Sequence, residues 1–387
     1  MLGATACGSS KSNSGGSSGG TSTAAAGGTS TTAAGGGDSA KAKAQAVIDK
    51  AKQVPVWKVD AQPFDVTKVK GKTIFNIPVS STVPYVAAVD KQMQKVATEQ
   101  GVKWVQFANQ GNPTQWAAGI NQAISQKADL IILDAGNDPK LVIPALRKAK
   151  QAGVPVMVNH LYQNGEGPDP STASLITAYI AVPFNESGAL SVNYAVAKDG
   201  CDGVKAPLII TAKEVPPSDG IVNSMQTTLK DLCPDAKAKV VNVPVVDWGT
   251  KIAPEAQSAV SSNPDTKWIF PTYDSMSIPA IQGVRQAGKA ATVKIASYNG
   301  TPDVMKLIQS GDIMQADMGE NIEWLAYGNM DQAFRILAGA PIVKGGLENT
   351  PLRVFDDSNI AEAAPNDFTG GFGDAFKTGY KKLWGVS

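Results

Sequence analysis

The chain of 387 residues is predicted to be an α/β protein of two Rossmann-like, doubly wound lobes with parallel sheets. Three observations predict this. Short apolar runs alternate with stretches of helical period. The alternation begins near Thr73, runs on for several units and restarts near Pro183, which calls for two sheets with helices on both faces. Nearly every apolar run ends in polar residues, and open α/β sheets hold their ligands at the carboxyl ends of strands.

Composition narrows the function classes. Lys and Arg number 35 against 34 Asp and Glu, so no basic excess exists to hold a polyanion, and nucleic acid is excluded as a partner. No apolar run approaches the roughly 20 residues that span a bilayer. Any membrane attachment must therefore come from an end. Residues 1–10, MLGATACGSS, resemble the tail of a bacterial lipoprotein signal up to its lipidated cysteine, here Cys7, although the basic start and apolar core of such a signal are missing and Ala4 stands where Leu is usual. Ser9 to Gly37 is almost wholly Ser, Gly, Thr and Ala, a composition that reads as a flexible tether.

In chain order, Ala40 to Gln53 reads as a helix and Val54 to Gly71 as an irregular approach. TIFNIPV (Thr73 to Val79) reads as a buried strand, and Pro84 to Gln100 places Val86, Val89, Met93 and Val96 on one helical face. Val102 to Phe107 is the next strand, closed by Asn109. Trp116 to Gln126 is a helix, and the run from Asp129 to Leu133 is so apolar that both its faces should be covered. Asp134, Asn137 and Asp138 stand at its exit. Leu141 to Gln151 is a helix and Pro155 to Val158 a strand, followed by Asn159 and His160. The second series has helices at Pro183 to Val196, Ile221 to Leu232 and Glu255 to Ser261, with strands at Pro207 to Thr211 and Lys239 to Val246, the latter ending in Asp247-Trp248-Gly249. Trp268 to Phe270, the helix Ser275 to Ala287 and the strand Val293 to Ala296 form one complete unit, with Tyr273, Asp274, Tyr298 and Asn299 at the strand exits. Asp303 to Ser310, Glu323 to Ala338 and Phe376 to Leu383 are further helices, and the rest of the tail has no clear period.

Cys201 and Cys233 are the only cysteines of the body; an even pair in an exported domain reads as a disulfide, the alternative being two buried thiols. With 1 His in the chain, a zinc site has no support, and no cofactor motif is present: no G-x-G-x-x-G after the first strand, no Walker loop, no G-x-S-x-G elbow.

The phrases ADLIILDAGNDPKLVIPALRKAKQAGVPVMVNH and YDSMSIPAIQGVRQAG followed by IASYNGTPDVMKLIQSGDI, colinear from about Thr73 to Pro341, resemble the type I periplasmic binding proteins, in particular the ribose-binding, sugar-uptake branch. The resemblance implies two lobes joined by a hinge of three crossovers, placed near Ala181–Phe184, Gly319–Asn321 and Pro341–Lys344. It divides the chain into a leader and tether (1–37), an approach segment (38–71), an N-terminal lobe (72–182 plus 321–342) and a C-terminal lobe (183–320 plus 343–387). It nominates as ligand contacts Ser80, Ser81, Tyr85, Asn109 and Asn137, with Asn159 and His160 where the family often has Asp-Arg. In the second lobe it nominates Trp248 as a stacking aromatic, Tyr273 and Asp274, Asn299, and Glu320 or Asn321 at the crossover. Asp219 stands where sugar binders commonly supply an Arg. The loss of both arginines argues against an anionic ligand and weakens the case for ribose itself.

The function this implies is capture of a small neutral polar solute, a sugar or polyol, in the interlobe cleft and delivery to an ABC-type permease, by a monomeric lipoprotein held to the outer face of the cell membrane by its lipid alone. Alternatives are a nucleoside or a hydroxylated aromatic or alicyclic ligand on the same fold, or a ligand sensor for a signalling receptor. An enzyme lacks a motif here, and a repressor would need a helix-turn-helix where this chain has a tether.

Overall fold

The computed structural model describes residues 34–311, 313–364 and 369–386. Cys7 lies outside them. The first lobe is built from β1 (Thr73–Pro78), α2 (Pro84–Glu99), β2 (Lys103–Gln106), α3 (Pro113–Ser125), β3 (Leu130–Asp134), α4 (Ile143–Gln151), β4 (Val156–Gln163) and β5 (Ala178–Val182), preceded by α1 (Ala34–Ala51). Its strands lie in the order β2-β1-β3-β4-β5, and every pairing is parallel. The second lobe follows with α5 (Phe184–Gly203), β6 (Leu208–Thr211), α6 (Ser218–Leu232), β7 (Lys239–Asn242), α7 (Trp248–Ser262), β8 (Trp268–Pro271), α8 (Asp274–Gln286), β9 (Lys294–Asn299), α9 (Pro302–Gln309) and β10 (Met314–Glu320). Its order, β7-β6-β8-β9-β10, repeats that of the first lobe, and β11 (Leu352–Asp356) adds an antiparallel edge. In both sheets the strand order reverses beside the first strand, and a crevice opens at such a switch point.

Burial explains the apolar runs. Every residue of β3, β6 and β8 is buried, because helices cover both faces of a parallel sheet. The helix starts are specified locally. Asn112 caps α3 by accepting from the Gln115 amide at 3.0 Å, with Pro113 in the first turn; this begins the helix before Trp116. Ser218 likewise opens α6 ahead of Ile221, and Trp248 opens α7 well ahead of Glu255. β5, β10 and β11 have no counterpart among the strands read from the sequence. The last two are broken by Asp317, Gly319 and Arg353, which hide their apolar character.

Three further readings change. Helix α1 begins at Ala34, inside the stretch read as tether, and packs against α5 of the second lobe. The third crossing runs late: the short turn Lys344–Gly346 still packs against β5, so the chain leaves the first lobe only after it. The tail from 343 onward divides between the lobes. β11 joins the second sheet, whereas α11 (Ala375–Leu383) packs on α10 (Ile322–Ala338), which itself packs on α2. Aromatic burial pulls α11 there: Trp384 stacks on Tyr327 at 5.4 Å, and its indole donates to Asp331 at 2.8 Å. Trp57, from the segment after α1, meets Tyr380 edge-on at 5.5 Å. Beneath it Arg335 and Asp331 form a fully buried ion pair at 2.6 Å. Cys201 and Cys233 are joined in a disulfide with Cα atoms 5.4 Å apart.

Candidate ligand site in the interlobe cleft

The strand exits of the two lobes meet in a buried seam. Tyr85 comes from the first turn of α2, His160 from β4, and Glu320 from the last position of β10. The Tyr85 hydroxyl donates to the Glu320 carboxylate and lies 3.1 Å from His160 Nε2, which in turn lies 3.1 Å and 3.2 Å from the Glu320 oxygens. All three side chains are buried. Burial alone would raise the Glu320 carboxyl, but the pull of His160, with its hydrogen bond and those of the neighbouring tyrosines, holds it below its ordinary value. Burial, and then the Glu320 charge, pushes the phenols of Tyr85 and Tyr298 well up.

Aromatic rings enclose this group. Phe184 stands edge-on to His160 at 5.0 Å and to Tyr298 at 6.2 Å. Tyr273 lies 6.4 Å from Tyr298, its hydroxyl 3.0 Å from Ser218 Oγ, and the half-exposed Trp248 stacks on it at 6.4 Å. Two residues hold positive φ here, His160 at 49° and Asn299 at 140°. Backbone strain of this kind collects where a side chain must be aimed at a ligand. Gly300 allows the turn after Asn299, because a Cβ there would lie 3.1 Å from the Gly319 Cα of the neighbouring strand.

The nominated residues fall into two groups. Tyr85, His160, Glu320, Tyr273 and Trp248 surround the seam, and Asn299 stands at the exit of β9 next to Tyr298. Others are committed to holding loops. Asn109 donates to the Pro78 carbonyl at 2.8 Å and accepts from the Gly111 amide at 2.9 Å. Ser81 accepts from the Asn109 amide at 3.1 Å, and Ser80 lies 2.9 Å from Thr82 Oγ1. Asn137 reaches the Pro78 carbonyl at 3.4 Å, and its Oδ1 is buried without a partner. Asp274 accepts from Ser297 Oγ at 2.5 Å and from the Thr301 amide at 2.7 Å, so it fastens the β9–α9 turn. Asn159 and Asn321 are turned to structural tasks. Strand alternation puts Asn159 on the side opposite His160, where its Nδ2 lies 3.4 Å from Met93 Sδ. Asn321 caps α10, accepting from the Trp324 amide at 2.8 Å. Asp219 is exposed in the first turn of α6, away from the seam; its neighbour Ser218 is the residue that reaches Tyr273.

Ser218, Phe184 and Tyr298 were not nominated. Tyr298 was legible as a strand-exit residue, and its buried hydroxyl sits beside the Glu320 carboxylate. Phe184 carries no signal in the sequence beyond its place at a crossover. Among the described residues no group of His, Cys, Asp and Glu is arranged to hold a metal, and no helix is long and apolar enough to cross a membrane.

Two doubly wound lobes that meet over a polar and aromatic seam, with the chain passing repeatedly between them, define a hinged solute-binding protein. The chain belongs to the periplasmic binding protein domain family, which matches residues 74–341, and it is a type I member of the sugar branch. The chain is 26% identical to the D-ribose/D-allose-binding protein of Pseudomonas aeruginosa over 240 residues, covering 61% of this chain and 72% of that protein. It is 25% identical to the fructose import binding protein of Bifidobacterium longum over 248 residues, covering 62% of this chain and 72% of that one. A solute-binding protein of an Agrobacterium vitis ABC transporter, solved with bound allitol, shares the fold at a TM-score of 0.65 and 16% identity, over 77% of this chain and 99% of that one. This is a substrate-binding transport family and not an enzyme family, and its members work outside the cytoplasm.

Proposed function

We propose that this chain captures a neutral sugar or polyol between its lobes and delivers it to an ABC-type permease. The observation that carries this reading is the seam itself. Tyr85, His160 and Tyr298 converge on one buried carboxylate, Glu320, and flat faces from Trp248, Tyr273 and Phe184 stand around them. A polyhydroxylated ring has both kinds of surface, hydroxyls that donate to a carboxylate and apolar C–H faces that stack. The lining nominated for the ligand contains no Arg or Lys to grip an anion. Relatives named for ribose, allose and fructose, and a fold neighbour holding allitol, support the same solute class. Tyr85, His160, Trp248, Tyr273, Asn299 and Glu320, with Tyr298 added, are the residues proposed to touch the solute. Cys7 is proposed as the lipidated anchor, with the working lobes outside the cytoplasmic membrane.

The test is a thermal-shift and calorimetric screen of the whole chain against D-ribose, D-allose, D-fructose, allitol and myo-inositol, with sugar acids and sugar phosphates as the contrast. A ligand held only by the folded state and present at about 100 times its Kd raises stability by about 2.7 kcal/mol. A response to neutral solutes alone supports the reading. Binding of the acids in preference, or of nothing in the set, overturns it.

A further inference from the structure

A cavity of about 280 Å³ lies beside the seam, between Gln163 near the end of β4, Asn185 at the start of α5, and Gly220 and Asn223 of α6. It spans the two lobes and shares a wall with the seam, because Phe184 lines it and also stands against His160 and Tyr298. Its amides are placed deliberately. Gln163 Oε1 accepts from the Asn185 backbone amide at 2.7 Å across the first crossing, which fixes the Gln163 side chain and leaves its Nε2 as a donor. Helices α5 and α6 pack as closely as their backbones allow: a Cβ on Gly188 would collide with the Ile221 carbonyl, and one on Gly220 with the Asn185 amide oxygen. The rest of the wall is apolar, from Leu161 and two prolines, and the only ionisable group on it is the exposed Glu166.

We propose that this cavity is a second subsite, which receives a ring linked to the one held at the seam, so that the preferred solute is a neutral glycoside. The proposal rests on the solute-capture reading above. Three amides with flat apolar walls match a second polyhydroxylated or heterocyclic ring. The absence of a cation from the lining disfavours a phosphate or carboxylate substituent. The volume falls just below the roughly 300–1,000 Å³ of complete small-molecule pockets, which is room for one further ring and not for a chain.

The test is calorimetric titration of the whole chain with matched pairs: sucrose against D-fructose, galactinol against myo-inositol, and adenosine against D-ribose. In at least one pair the two-ring member should bind tighter by about tenfold, the worth of one or two neutral hydrogen bonds. Asn223→Ala, an exposed position, and Gly220→Ala, whose Cβ would displace the Asn185 amide from the cavity wall, should each remove most of that gain and leave the one-ring affinity unchanged; urea midpoints check that both variants fold. One-ring binding with no two-ring gain, or a gain that survives both substitutions, overturns the second subsite and leaves the solute-capture reading standing. Silence from every pair overturns that reading and the subsite with it.

Discussion

Replacing Asp274 by Ala should act first on stability and only through it on binding. The side chain is 1% exposed, and its carboxylate accepts from Ser297 Oγ at 2.5 Å and from the Thr301 amide at 2.7 Å. Truncation orphans the Thr301 amide, and an unsatisfied buried donor costs about 1–3 kcal/mol. Ser297 loses less, since Asp317 Oδ2 lies 3.3 Å from the same hydroxyl. A compensating gain comes from Asp317, whose carboxyl is pushed well up first by burial and then by the Asp274 charge; removing that charge relaxes it. The net expectation is a loss of about 1–2 kcal/mol, read from urea midpoints, with Asp274→Asn costing less because it keeps one acceptor. Solute affinity should fall in step as the turn carrying Asn299 loosens. A variant that unfolds at the wild-type midpoint yet no longer binds solute would refute this reasoning and return Asp274 to direct contact.

Tyr85→Phe removes a donor from a buried carboxylate that bridges the lobes, and should weaken solute binding by about 1.5–3 kcal/mol, measured by calorimetry, without lowering the stability of either lobe alone. Burial, and then Asp90, pushes the Asp134 carboxyl well above its ordinary value. A raised folded-state value means stability that is complete below the unfolded value near 3.9 and is lost as pH climbs through the folded one, by up to about 1.4 kcal/mol per pH unit. Asp134→Asn should flatten the decline of unfolding free energy from about pH 4 upward; an unchanged profile would count against a neutral Asp134. Reducing the Cys201–Cys233 disulfide, which closes a separation of 32 residues, should cost about 3–4 kcal/mol by the loop-entropy account. Urea unfolding of a double Ser variant measures it.

Much of the architecture was legible because parallel sheets write themselves into a chain as apolar runs with polar ends. The switch-point crevice followed from the same pattern, which marked His160, Tyr273 and Asn299 at strand exits, whereas Tyr85 was nominated only by the family resemblance. Fully buried LIILD and WIFP are unmistakable at this level. β10 and β11 were not: Asp317, Gly319 and Arg353 sit in them because partners elsewhere satisfy those groups, and a run of residues does not show its partners. The tail misled for a related reason. Trp384, Tyr380 and Phe376 have helical spacing, but nothing local says which lobe offers the matching aromatic surface.

By itself the sequence determined the α/β class, the repeated doubly wound pattern and the polar strand exits. Each is set by periodicity or by residue type at a fixed offset, which are local properties. Only the tertiary structure decided which polar side chains face the cleft. Asn159 and His160 are neighbours, yet strand alternation and a positive φ send one into the lobe and the other to Glu320. Asn109, Asp274 and Asn321 have the chemistry of ligands and spend it on fastening turns and a helix start. A free amide or carboxylate differs from an occupied one only by what lies within about 3 Å of it, and residues far apart in sequence supply those neighbours.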